Sequence, residues 1–92
     1  MSSLVLANKN VAVVGMGLTG LSCVRFLVAK GANVIALDSR EELPINIDVP
    51  LFLGELDQQK LASVDLVVVS PGVNLNTPAI QAAKLAKVPV IG

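Results

Sequence analysis

Histidine, tryptophan and tyrosine are absent from this chain, and cysteine occurs once. Without histidine there is no imidazole for a metal site or a general base, and one cysteine cannot build a disulfide framework. Charge is scarce as well. Only 15% of the 92 residues are charged, seven basic against seven acidic, for a formal net charge of zero. A chain with no basic excess lacks the electrostatic footprint that nucleic acid or an anionic membrane surface requires. Long apolar runs are missing too. The longest uncharged stretch, residues 66–83, is broken by Ser70-Pro71-Gly72 and by Asn76-Thr77-Pro78, whereas a spanning helix needs about 20 mostly apolar residues in one run. Nor does the N-terminus show the basic start, apolar run and small-residue cleavage site of a secretory leader. A soluble, cytoplasmic protein is expected.

What is plentiful is aliphatic side chain. Apolar residues make up 53% of the chain, and two phenylalanines are its only aromatics. That excludes disorder, which needs low hydrophobicity and high net charge. It suits a sheet buried on both faces, whose strands read as continuous Val/Ile/Leu runs. Val11–Val14, Val34–Leu37 and Leu66–Val69 have that form, and Leu51–Leu53 and Val88–Ile91 are weaker candidates. Between them lie segments of helical period. Leu21, Val24, Leu27 and Val28 share one face from Thr19 to Lys30, with Gly31 where a helix-ending glycine belongs. Thr77-Pro78 opens a second helix that closes on Lys84 and Lys87. A short helix is expected at Asp57–Ala62, and irregular chain at Glu41–Pro50. Alternating strands and helices imply right-handed crossovers, hence a Rossmann-like α/β domain: a five-stranded parallel sheet with helices on both faces. Ninety-two residues hold one core, and the halt at Ile91-Gly92, just after a strand, is expected of one domain within a longer chain.

Ligands of open α/β sheets bind beyond the carboxyl ends of the strands, and three loops leave those ends here. The first is Gly15-Met16-Gly17-Leu18-Thr19-Gly20, a full G-x-G-x-x-G between strand and helix. Gly15 allows the tight turn, Gly17 lets the backbone approach a pyrophosphate, and Gly20 lets helix and strand pack closely. The helix N-terminus then offers N–H groups and a positive dipole end. The second is Asp38-Ser39-Arg40. Asp38 lies 18 residues after Gly20, near the spacing of an acid that holds ribose hydroxyls, and Arg40 is suited to a phosphate or a base. The third is Ser70-Pro71-Gly72-Val73-Asn74, where Gly72 permits close approach and Ser70 and Asn74 can hydrogen-bond a ligand. Each loop also has a plainer reading, as a connecting turn or as a solvated ion pair. Cys23 lacks a partner that would activate it and reads as a packing thiol. Glu41, Glu42, Asp48, Glu55, Asp57 and Asp65 read mainly as solvated charges. No metal-ligand cluster and no G-x-x-x-x-G-K-[ST] phosphate loop is visible. On residues alone, NAD is the first ligand to expect.

The runs K-N-V-A-V-V-G-M-G-L-T-G-L-S, A-L-D-S-R and D-L-V-V-V-S-P-G-V, spread over nearly the whole chain, resemble the N-terminal domain of the Mur ligases, above all those that add D-glutamate. The resemblance implies a three-domain, ATP- and Mg2+-dependent amide ligase of cytoplasmic peptidoglycan synthesis. Its first domain holds the UDP part of UDP-N-acetylmuramoyl-L-alanine, its central domain ATP, and its last domain the amino acid. An acyl phosphate on the substrate carboxylate is then attacked by the amine of D-glutamate. Carried onto this sequence, Gly17, Leu18 and Thr19 would hold the diphosphate-uridine end. Asp38, Ser39 and Arg40 would border uracil and ribose, and Gly72, flanked by Ser70, Pro71 and Asn74, would lie against the nucleotide. Ser39 stands where threonine is also familiar. The resemblance reassigns the phosphate device from NAD to UDP and implies a monomer whose residues 1–92 catalyse nothing alone. Two rivals remain: the NAD-binding half of a dehydrogenase, and a sensor module that binds CoA or a nucleotide.

Overall fold

The computed structural model describes residues 6–92, so the leader reading of the N-terminus falls partly outside it. In chain order the elements are β1 (Asn10–Val14), α1 (Leu18–Ala29), β2 (Asn33–Asp38), β3 (Leu51–Leu53), α2 (Gln58–Ala62), β4 (Leu66–Val69), α3 (Pro78–Leu85) and β5 (Val90–Ile91). The strands form one all-parallel sheet in the order β3-β2-β1-β4-β5. The chain runs outward from β1 to β2 and β3, then crosses back to β4 on the other side of β1. The order therefore reverses between β1 and β4. Val14, the last residue of β1, is in register with Leu37 of β2 and Val69 of β4, so the loops that follow these three strands leave the sheet at one level.

Alternation along β1 splits the core into two layers. Val11 and Val13 face α1 with Val24, Leu27, Val34 and Ala36. Ala12 and Val14 face the other way, onto Leu61 of α2 and Ala79, Ile80 and Ala83 of α3. Cys23 is half-buried and packs against the α1 layer. No helix among the described residues is long and apolar enough to cross a membrane.

One segment does more than its sequence reading allowed. Residues 41–50 form neither helix nor strand, as expected. Yet Leu43, Ile45, Ile47 and Val49 alternate with exposed Pro44, Asn46, Asp48 and Pro50, and all four pack against the α1 layer. Extended chain sends alternate side chains to opposite sides, so this strap covers the sheet where a second helix would otherwise lie. Its prolines donate no ladder hydrogen bonds. Only at Pro50, whose carbonyl accepts from Ala36 N–H at 2.9 Å, does it rejoin the sheet.

Both longer helices end in the same two-bond cap. After α1, Gly31 at φ +86° donates to the Val28 carbonyl and Ala32 to the Leu27 carbonyl, which is the Schellman pattern. After α3, Lys87 donates to Lys84 and Val88 to Ala83, with Lys87 at φ +64°. The helix thus stops at Leu85 and does not run to Lys87, since a left-handed residue cannot continue it. A side chain in that conformation costs about 1–2 kcal/mol, partly offset by glycine's greater freedom when unfolded. Lys87→Gly is expected to raise stability by roughly 0.5 kcal/mol, read as a higher urea midpoint. The acids also serve local structure. Asp57 caps α2 through Gln59 and Lys60 N–H, and Asp65 accepts from Asn10 N–H at 2.8 Å. These two are more than solvated charge.

Candidate functional site

The point of strand reversal opens into a cleft of about 790 Å3, within the range of small-molecule sites. Its floor begins where β1 ends. Gly15 turns at φ +94°, a conformation L side chains avoid, and a Cβ there would come within 2.8 Å of Val73 Cγ2. The Gly15 N–H continues the ladder to the Leu37 carbonyl at 2.7 Å. Gly17 then opens α1 with φ −75° and ψ −169°. The helix start has no side-chain cap and no acid in its first turn, and the first turn-closing bond runs from Leu21 N–H to the Gly17 carbonyl. The N–H groups of Leu18 and Thr19 precede that bond, so an anion at this end would meet donors and the positive end of the helix dipole. Gly17, Leu18 and Thr19 all line the cleft, and Leu18 is 87% exposed.

Opposite lies the loop after β4. Ser70, Pro71, Gly72 and Asn74 line the same cleft. The Ser70 hydroxyl donates to the Gly15 carbonyl at 2.6 Å, so this buried serine ties the two loops together. Asn74 has its Oδ1 engaged by Asn76 N–H at 2.8 Å, which leaves its amide as a donor. Gly72, at φ +92°, has open space where a Cβ would be.

The wall beyond β2 is Asp38, Ser39 and Arg40, which also line the cleft. The Asp38 side chain is 5% exposed. Its Oδ1 accepts from Arg40 N–H and Arg40 Nε, both at 2.9 Å, and its Oδ2 from Met16 N–H and Arg40 Nη2, both at 2.8 Å. The Arg40 hydrogen bonds hold this carboxyl far below the usual carboxylate range; burial opposes them, and the Met16 and Arg40 amides assist. The carboxylate therefore joins the glycine turn to the end of β2. A carboxyl whose folded pKa lies below its unfolded value, about 3.9, stabilises the fold at every pH above that value. The contribution is lost as pH falls through the folded pKa. Asp38→Asn is thus expected to lower the urea midpoint at pH 7 and to flatten its decline below about pH 4.

Gly17, Leu18, Thr19, Asp38, Ser39, Arg40, Ser70, Pro71, Gly72 and Asn74, the residues assigned to a ligand from the sequence, all line this cleft, whereas Gly20 of the same motif does not. Glu55, Leu56, Val73 and Thr77 line it as well and were not foreseen as site residues. The available signal was positional. Glu55 and Leu56 follow the short strand β3, whose carboxyl end lies on the cleft side, and Thr77 is the residue before α3. Among the described residues, no group of three or more His, Cys, Asp or Glu is placed to hold a metal ion.

A family model described as the Mur ligase MurD-like N-terminal domain matches residues 9–92. The chain is 50% identical over 91 residues to the UDP-N-acetylmuramoylalanine–D-glutamate ligase of Pasteurella multocida, covering 92% of this chain and 20% of that one. It is 42% identical over 104 residues to the enzyme of the same name from Saccharophagus degradans, covering 100% and 23%. The chain thus spans about a fifth of the length of the curated relatives it matches. Among solved structures, shikimate dehydrogenase from Aquifex aeolicus superposes with a TM-score of 0.65 at 18% identity, covering 94% of this chain and 42% of that one. A probable 2-hydroxyacid dehydrogenase from Rhizobium etli, solved with NADP, gives 0.62 at 24%, covering 80% and 23%. At such identities the likeness is one of fold.

Proposed function

The chain belongs to the Mur ligase family as a MurD-like N-terminal domain, and from that premise we propose that it anchors the UDP part of UDP-N-acetylmuramoyl-L-alanine. The longer enzyme would be a cytoplasmic, monomeric, ATP-dependent ligase that joins D-glutamate to this substrate in peptidoglycan synthesis. The observation that carries the reading is the bare N-terminus of α1, uncapped and free of acids, at the reversal point of the sheet. The diphosphate would sit against the Leu18 and Thr19 N–H groups, where Gly17 leaves room. The nucleoside would extend toward Ser39 and Arg40, with Ser70, Pro71, Gly72 and Asn74 closing the other side.

ATP and Mg2+ do not fit the residues of this chain. The sequence has no phosphate loop ending in Gly-Lys-Ser/Thr, and no acidic or thiol cluster among the described residues suits a metal. Both would be handled by the remaining four-fifths of the longer enzyme, and residues 1–92 are held to catalyse no ligation alone. The dehydrogenase reading retains a likeness of fold only.

The test is an equilibrium titration with UDP-N-acetylmuramoyl-L-alanine, with uridine and pyrophosphate as the two parts of its UDP moiety. Binding of the nucleotide sugar, weaker binding of each half and competition by UDP are expected. Pyrophosphate binding that uridine attachment does not improve would leave a phosphate turn with no nucleoside site.

A further inference from the structure

Ser70 invites assignment to the ligand, since it lines the cleft and carries a hydroxyl. Its hydrogen bonds point elsewhere. An anion is held by donors, and a serine hydroxyl has one proton to give. That proton is spent at 2.6 Å on the Gly15 carbonyl, and the residue is only 9% exposed. The serine is itself fixed. Its N–H donates to the Val14 carbonyl at 2.9 Å, and its carbonyl accepts from Val73 N–H at 3.2 Å.

The Gly15 carbonyl and the Met16 N–H belong to one peptide plane. Ser70 holds the oxygen of this plane, and Asp38 Oδ2 holds its N–H at 2.8 Å. The carbonyl thereby points beneath the first turn of α1, against buried Gly20, where an added Cβ would collide with it. A lock is needed here. Gly15, at φ +94°, has no side chain to restrict rotation of the plane that follows it. Deprived of the serine proton, the carbonyl would find a partner only by tilting toward water in the cleft. The backbone that leads into Gly17, Leu18 and Thr19 would tilt with it.

We propose that Ser70 is a positioning residue: through the Gly15 carbonyl it locks the peptide plane that aims the Leu18 and Thr19 N–H groups at the diphosphate. It gives no proton to the ligand. The proposal rests on the nucleotide reading given above. It also explains why the loop after β4 matters to a phosphate turn that it does not belong to.

One readout uses ligand and the other needs none. Ser70→Ala is expected to lower the affinities for UDP and for pyrophosphate by the same factor, roughly tenfold, since the turn then holds its binding shape only part of the time. Uridine, which does not use the turn, should bind as before. A hydroxyl that met the nucleoside would give the opposite pattern, with uridine weakened and pyrophosphate unaffected. In the unliganded variant, hydrogen exchange should quicken at the Met16 amide by roughly tenfold more than at Val13 within β1, because the plane is loosened and the sheet is not. A general loss of stability would speed both amides alike. Ser70→Thr keeps the hydroxyl and should bind UDP within about threefold of the parent. Ser70→Cys, a weaker donor, replaces alanine if that variant misfolds by circular dichroism, with a smaller loss in the same pattern expected. Unchanged pyrophosphate affinity in the folded variant would overturn the proposal, as would equal quickening at Met16 and Val13. Failure of the unaltered chain to bind either UDP or pyrophosphate would instead defeat the reading on which it rests.

Discussion

Gly20→Ala is expected to cost the fold roughly 3 kcal/mol or more, at the upper end of what overpacking a tight site costs. Gly20 is buried on the first turn of α1. A methyl there would lie inside the van der Waals surface of the Gly15 carbonyl oxygen and 2.8 Å from Ser70 Oγ. Neither neighbour can yield easily. The carbonyl is backbone, and it accepts the 2.6 Å hydrogen bond from Ser70. Moving α1 away would instead unseat Val24 and Leu27 from the sheet. Urea unfolding followed by circular dichroism reads the loss as a lower midpoint. A midpoint within experimental error of the parent would show that helix and glycine turn are not in the close contact described.

Gly17→Val should do the reverse: abolish binding and spare the fold. Nothing lies within 4 Å of a Cβ at Gly17, and its φ of −75° is open to any residue. Valine caps a helix less well than glycine, a penalty of about 1 kcal/mol. Two methyls would, however, stand where an anion must approach the Leu18 and Thr19 N–H groups. UDP affinity is expected to fall by at least tenfold, about 1.4 kcal/mol, with circular dichroism near normal. Unchanged affinity would make this loop a connector and nothing more. The two glycines sit three residues apart in one motif, yet one serves packing and the other access.

The candidate site was legible in the sequence as a cluster because it is built from loops that leave strands. Val11–Val14, Val34–Leu37 and Leu66–Val69 announced themselves as buried parallel strands, and the residue after each run falls by necessity at the carboxyl edge of the sheet. The first, third and sixth residues of G-x-G-x-x-G differ in what they touch, but the spacing alone placed them. Less was legible at Asp38. Its spacing from Gly20 suits a ribose acceptor, and only the geometry shows its four acceptor sites filled by Met16 and Arg40. A motif records where an acid stands, and not which donors reach it first. The strap at residues 41–50 was missed for another reason. Its prolines mark irregular chain, and the period-two pattern of Leu43, Ile45, Ile47 and Val49 requires no ladder to take effect. The end of α3 was misplaced because Lys84 and Lys87 both suit a helix terminus by charge, while only backbone geometry tells the last turn from the residue beyond it.

The most direct test is a two-dimensional NMR titration of the labelled chain with UDP, and separately with NAD. If this domain anchors a uridine nucleotide at the reversal point of its sheet, UDP will shift the amides of Leu18, Thr19, Asp38, Arg40 and Gly72 together, and NAD will shift them little. The same five amides moving with NAD and not with UDP would contradict the account, as would UDP-induced shifts confined to residues outside the cleft.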